Sequence, residues 1–147
     1  HRGLFPCVRN IHATTAADMH LAVIRICQDE GVDIYVSAAA ISDFAPERLE
    51  GKIPSGSPLT VKLKPLPKII DEVMATCHPV TVAFKLGWDE EERAKTMLDA
   101  GLHMVVLNAP PVMGAEEGSF SIMTTGGIVE VSGSKEEVSA AVWSGLL

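Results

Sequence analysis

The sequence is short of aromatic residues and of positive charge. Its 147 residues include two Trp, one Tyr and four Phe, and 12 Lys and Arg stand against 19 Asp and Glu, for a net charge of −7. A generic nucleic-acid binder neutralises phosphates with clustered Lys and Arg, so that class is excluded, and any anionic ligand must be held by local positive groups. No apolar run approaches the roughly 20 residues of a membrane span. His1, Arg2 and Gly3 carry no apolar signal core, and the three cysteines, Cys7, Cys27 and Cys77, have neither metal-ligand nor disulfide-framework spacing, so a reducing cytoplasmic setting is expected. The phosphate-loop patterns G-x-G-x-x-G and G-x-x-x-x-G-K-[ST] are missing, which weighs against a nicotinamide-dependent oxidoreductase. Ser55 and Ser57 lack a G-x-S-x-G elbow. His12, His20, His78 and His103 are scattered without the paired spacing of metal ligands, so no metal site is expected from the protein's own residues.

What is present is an alternation of short β-branched runs with longer stretches of helical periodicity, the pattern of a layered α/β domain. Val8 to His12 reads as a strand. Thr15 is the expected N-cap of a helix with Met19, Ala22, Val23, Ile26 and Cys27 on one face, stopped by Gly31. Val32 to Ser37 reads as a parallel strand buried on both faces, and Leu59 to Leu63 as a strand of alternating character. A helix over about Lys68 to Cys77, a strand Val80 to Lys85, a helix over about Asp89 to Ala100 ended by Gly101, and a strand His103 to Leu107 follow. After a Pro/Gly-rich loop, Phe120 to Thr124 and Ile128 to Val131 read as a hairpin turning on Gly126 and Gly127. Ser134 and Glu137 form a capping box for the last helix. The acidic run Asp89 to Glu92 reads as a solvated helix start, and Trp88 and Trp143 as packing residues. The whole reads as one α/β domain.

Ligands of open α/β sheets gather at the carboxyl ends of strands, here the loops after Ser37, Lys85 and Leu107. The first loop is long enough for a lid or flap, over about residues 44–58. Within it, Lys52 is set among Gly, Pro and Ser. Read without further context, Lys52 is a solvated loop lysine, Asp43 an Asx turn, Phe84 a core residue, and Ser37, Ala38 and Ala39 small residues of a packed strand.

Four segments in order alter that reading: "AAAISDF" (Ala38 to Phe44), "EGKIPS" (Glu50 to Ser55), "LTVKLKPLPKIIDEV" with "VAFK", and "GLHMVVLNAP" with the ending "GGIVEVSGSKEEV". Together they resemble phosphopantothenate-cysteine ligase, the synthetase half of the bifunctional coenzyme A biosynthesis flavoprotein. The resemblance implies a Rossmann-like three-layer α/β domain with a mostly parallel sheet and a C-terminal hairpin. It implies activation of 4'-phosphopantothenate by CTP to an acyl-cytidylate, displacement of CMP by the cysteine amine, Mg²⁺ as cofactor, a homodimer, and fusion to or association with a flavin-dependent decarboxylase. Lys52 matches the flap lysine that turns over the acyl-cytidylate. Asp43, with Ser37, Ala38 and Ala39, matches the nucleotide segment, and Phe84 matches an aromatic beside the base.

The sequence also departs from the family. Its Asn-Pro-Asp-Ile segment is Leu66-Pro67-Lys68-Ile69, so Pro67, Lys68 and Ile69 are expected to keep backbone contacts to the nucleotide with the charge reversed. Its Ala-Glu-Thr is Lys85-Leu86-Gly87, and its pair of triphosphate lysines is reduced to Lys95. Asn108 matches the family's Ala-Asn-Asp, with Ala109 in the place of Asp. The family's Gly-Gly-Thr turn and Ser-Ser-Gly-x-Met-Gly segment do not occur, so the chain resembles the later two-thirds of the synthetase domain. The alternative expectation is therefore a non-catalytic or regulatory fragment of the same fold.

Overall fold

The computed structural model describes residues 8–47, 50–53, 55–56, 58–108 and 117–147. Along the chain the elements are α1 (Ala16–Glu30), β1 (Ile34–Ser37), β2 (Phe44–Pro46), β3 (Leu63–Pro65), α2 (Ile69–Cys77), β4 (Val80–Leu86), α3 (Glu91–Asp99), β5 (Met104–Asn108), β6 (Glu117–Thr124), β7 (Gly127–Ser134) and α4 (Lys135–Ser144). They fall into two compact units, one of His1–Gly31 with Ala40–Cys77 and one of Val32–Ala39 with His78–Leu147.

The first unit is built on α1 and α2. Thr15 caps α1 as its sequence implies: the Asp18 backbone N–H donates to Thr15 Oγ1 at 3.0 Å, and the Thr15 N–H donates back to Asp18 Oδ2 at 3.0 Å. Gly31, at φ 73°, ends the helix. Cys27 of α1 and Ile69 and Val73 of α2 are buried, and the two helices pack against each other. His20 Nε2 and Glu72 Oε2 meet between them at 2.7 Å. The antiparallel pair β2–β3 completes the unit, with Phe44 opposite Pro65 and Pro46 opposite Leu63.

The second unit is a five-stranded sheet in the order β1-β4-β5-β6-β7. β1, β4 and β5 run parallel, and the β6–β7 hairpin adds two antiparallel ladders. Alternation along the strands sorts the core into two faces. On one, Val82, Met104, Val106, Phe120 and Ile122 pack with Val138 and Val142 of α4. On the other, Ala83, Val105 and Met123 are buried, and α3, which packs against β5 and β6, contributes the buried Ala94 and Leu98. The buried Thr81 satisfies its hydroxyl by donating to the Pro79 carbonyl at 3.0 Å.

Most elements lie where periodicity put them, and four differ. Residues 8–14 form no strand. Val8 and Ile11 are 56% and 50% exposed, and Arg9 is paired with Glu30 at the end of α1, so the run has no ladder to join among the described residues. The strand expected over Leu59 to Leu63 begins instead at Leu63, because its partner is β2, inside what the sequence presents as a flap. β1 ends the sheet and leaves Val36 40% exposed, whereas burial on both faces was expected. The hairpin strands extend to Glu117 and Ser134, so Glu117 and Gly118 of the expected loop belong to β6.

Ser134 is both the last residue of β7 and the N-cap of α4. Its N–H donates to Glu137 Oε2 at 2.7 Å, and its Oγ accepts from the Glu137 N–H at 3.3 Å. Gly133 just before it has φ 149°, and a Cβ there would meet Glu137 Oε2. These hydrogen bonds hold the Glu137 carboxyl below the usual carboxylate range, and Asp18 is lowered likewise by Thr14 and Thr15. A lowered folded-state pKa contributes stability that is present above the unfolded value, near pH 4, and is lost as pH falls through the folded value. Glu137→Gln should therefore flatten the fall of Tm between about pH 5 and 3, and Ser134→Ala should lower Tm by a few degrees at neutral pH, both read by thermal denaturation. Met104, fully buried between strands and α4, should cost about 2–5 kcal/mol when changed to Ala, measured by urea unfolding.

Candidate functional site

The sheet of the second unit opens, at the carboxyl ends of β4 and β5, into a cleft of about 500 Å³. Gly87 to Glu92, Leu107, Asn108, Ser119, Ser121 and Glu130 line it. The backbone explains its shape. The Gly87 N–H donates to the Asn108 carbonyl at 3.1 Å, closing β4 onto β5. A Cβ at position 87 would lie 2.8 Å from Glu90 Cγ, so glycine lets the chain turn tightly into α3. Asp89 carries the turn in the left-handed region at φ 56°, which Asp tolerates better than most residues. Ser119, Ser121 and Glu130 come from the outward alternation of the hairpin on the face that α3 covers.

The cleft is acidic. Asp89, Glu90, Glu91, Glu92 and Glu130 all line it, and two cations of α3 pair with this lining. Arg93 bonds Glu90 at 3.2 Å, and Lys95 Nζ donates to Glu92 Oε1 at 2.6 Å. The Glu92 carboxylate raises the Lys95 pKa above its ordinary value. Such a lining repels a triphosphate and would admit cationic or neutral polar groups. Trp88, expected to pack, is instead 67% exposed at the cleft, and Trp143 is 47% exposed. The acidic run begins α3 as read, and also forms one wall. The signal available in the sequence was position alone, since the loops after Lys85 and Leu107 are two of the three strand-end loops.

The residues expected to hold the nucleotide fall into two groups. In the first unit, the Leu66 N–H donates to the Asp43 carbonyl at 2.8 Å, just beyond the β2–β3 ladder, which sets the Asp43 backbone beside Leu66, the residue before Pro67, Lys68 and Ile69. Ile69 starts α2, and the Lys68 carbonyl accepts from the Glu72 N–H at 3.4 Å, so Lys68 sits exposed at the helix N-terminus. The turn before β2 is made by Ser42, whose Oγ accepts from the Phe44 N–H at 3.3 Å. Lys52 is exposed, between Gly51 at φ 87° and Gly56 at φ 91°. Arg48, Leu49, Pro54 and Ser57 of the flap lie outside the described residues, as does Ala109 beyond Asn108.

In the second unit, Ser37 ends β1 opposite Ala83 of β4, with Ala38 and Ala39 exposed just beyond it. Phe84 is half-buried against the core beneath α4, so its side chain serves packing on the face opposite the cleft. Lys95 lies on α3, one turn past the cleft wall, paired with Glu92.

The chain is similar to known proteins over most of its length. Residues 4–147 match the family described as DNA/pantothenate metabolism flavoprotein C-terminal domain. The coenzyme A biosynthesis bifunctional protein CoaBC of Methanocaldococcus jannaschii is 34% identical over 144 residues, 92% of this chain and 35% of that protein. The protein of the same name from Thermococcus kodakarensis is 37% identical over 121 residues, 77% of this chain and 30% of that protein. The chain thus spans about a third of the length of these curated relatives. The crystal structure of the DNA/pantothenate metabolism flavoprotein from Streptococcus pneumoniae superposes with a TM-score of 0.73 at 18% identity, covering 91% of this chain and 70% of that one, and shares its α/β fold. The chain belongs to the family of DNA/pantothenate metabolism flavoprotein C-terminal domains.

Proposed function

We propose that this chain serves coenzyme A biosynthesis as the part of a cytoplasmic, CTP-dependent ligase that joins 4'-phosphopantothenate to cysteine. The observation that carries the reading is the family match over residues 4–147, with relatives named as bifunctional coenzyme A biosynthesis proteins. In this reading a carboxylate oxygen of 4'-phosphopantothenate attacks the α-phosphorus of CTP and releases pyrophosphate. The cysteine amine then attacks the acyl carbon and releases CMP. A homodimer, and a flavin-dependent decarboxylase joined to or associated with the chain, belong to the same proposal. Among the described residues no helix is long and apolar enough to cross a membrane.

Two features of the first unit support nucleotide binding there. The helix α2 directs its first-turn N–H groups toward the Pro67–Lys68 segment, a favourable place for an anion, and Lys68 adds a point charge. Asp71 and Glu72 of the same turn oppose an anion, but Glu72 is engaged by His20. Asp43, tied to this segment through Leu66, supplies a carboxylate that can accept from an exocyclic amine such as that of cytosine. Lys52, exposed on its Gly-bounded loop, is the ammonium that neutralises charge on the phosphoryl oxygens of the acyl-cytidylate as CMP leaves. Ser37, Ala38 and Ala39 allow close approach to the backbone. Lys95 must give up Glu92 before it can hold a phosphate, and Phe84 would reach a base only by leaving its core contacts.

Among the described residues no three His, Cys, Asp or Glu side chains form a group able to hold a metal. Mg²⁺ in this reading travels with the triphosphate, its common mode.

The test is release of pyrophosphate and CMP from CTP by the protein carrying this chain, supplied with 4'-phosphopantothenate and cysteine. Lys52→Gln should leave the fold intact and slow CMP release by about 10²- to 10³-fold. Survival of pyrophosphate release in that variant places Lys52 after activation, and unchanged rates of both remove it from the chemistry. Lys68→Glu should raise the KM for CTP by about tenfold with little change in Tm, and an unchanged KM would take the α2 N-terminus out of the site. Absence of CTP-dependent product from the unaltered protein would overturn the ligase reading.

A further inference from the structure

The first unit holds a thiol pair that the proposed reaction does not use. Cys27 of α1 is 6% exposed, Cys77 is the last residue of α2 and half-buried, and both are free. Their positions follow from how the helices meet. Cys27 continues the inward stripe of Ala16, His20 and Val23 at spacings of four, three and four residues, and Cys77 continues the stripe of Ile69 and Val73 at spacings of four. The contact of His20 with Glu72 sets the level at which the stripes face each other. From that level Cys27 lies about 10 Å and Cys77 about 8 Å along its helix, by the rise per residue. Cys77 is the thiol neighbour of Cys27: burial, together with that thiol, pushes Cys27 up to about 11.

We propose that Cys27 and Cys77 are a modification site: a dithiol that peroxide converts into a reversible disulfide joining α1 to α2. The proposal goes beyond the ligase reading and stands independently of it. The more accessible Cys77 reacts first. Its thiolate attacks one oxygen of hydrogen peroxide, the O–O bond breaks, and the departing hydroxide takes a proton to become water, leaving a sulfenic acid on Cys77. Cys27 then gives up its proton and attacks the Cys77 sulfur, expelling hydroxide, which that proton converts to a second water. Two thiols and one peroxide yield one disulfide and two waters, with two electrons passing from sulfur to oxygen. The high proton affinity of Cys27 makes this second step the slower one and fixes the order of attack. The bond closes a loop of about 50 residues that carries Asp43 and Lys52, and so restrains the unfolded chain.

The experiment is treatment of the protein carrying this chain with a small excess of hydrogen peroxide, followed by intact mass and non-reducing peptide mapping, with dithiothreitol to reverse it. The expected result is a loss of about 2 Da, a single linked peptide pair containing Cys27 and Cys77, and a Tm about 5 °C or more above that of the reduced form. Cys77→Ser should abolish the link while keeping the far-ultraviolet circular dichroism of the parent, and Cys27→Ala should leave Cys77 gaining oxygen instead of losing hydrogen. A link through Cys7, a Cys77 that gains oxygen in the unaltered protein without crosslinking, or two thiols that remain fully alkylatable after peroxide would each overturn the proposal.

Discussion

The burial of the two central strands is the constraint on which the second unit depends. Val82, Met104, Val105 and Val106 expose no surface, and they alternate between a face covered by α3 and one covered by α4. At about 25 cal/mol per Å² of apolar area, these strands supply the dominant favourable term of that unit. Their positions also set their ends. β4 and β5 finish side by side, Leu86 opposite Asn108, and the chain must turn away there, so an opening forms at their carboxyl edge whatever the loops contain.

The chemistry around that opening is divided. The cleft of the second unit presents carboxylates, and Arg93 and Lys95 beside it pair with Glu90 and Glu92. The cation suited to an anion, Lys68, stands in the first unit at the start of α2 beside Asp43.

Much of the fold was legible because its signals are local. Thr15 with Asp18 and Ser134 with Glu137 announce helix starts through side chains that bond their own backbone, and both capping boxes are present. The apolar runs of β4 and β5 identify themselves by being buried on both faces. What the sequence hid depends on partners. Val8 to His12 has strand composition but no ladder, and β3 takes its register from Phe44–Pro46, three residues with no strand periodicity of their own. The candidate site was legible only through family resemblance: Lys52 and Asp43 look like ordinary loop residues, and Phe84 behaves in the structure as the core residue its composition suggested. A large aromatic is usually buried, yet Trp88 stands exposed just before the left-handed turn at Asp89, which no periodicity reveals.

The junction between β7 and α4 has a mechanical consequence. Strand and helix share Ser134 with no linker residue between them, and the reciprocal bonds to Glu137 restrain the torsions at the junction. Position 133 is doubly restricted, by its φ of 149° and by the carboxylate that fills the space of a side chain. The hairpin and the last helix therefore behave as a single rigid lever. A change in the twist of β7 must be carried whole into the orientation of α4 and into the core beneath it.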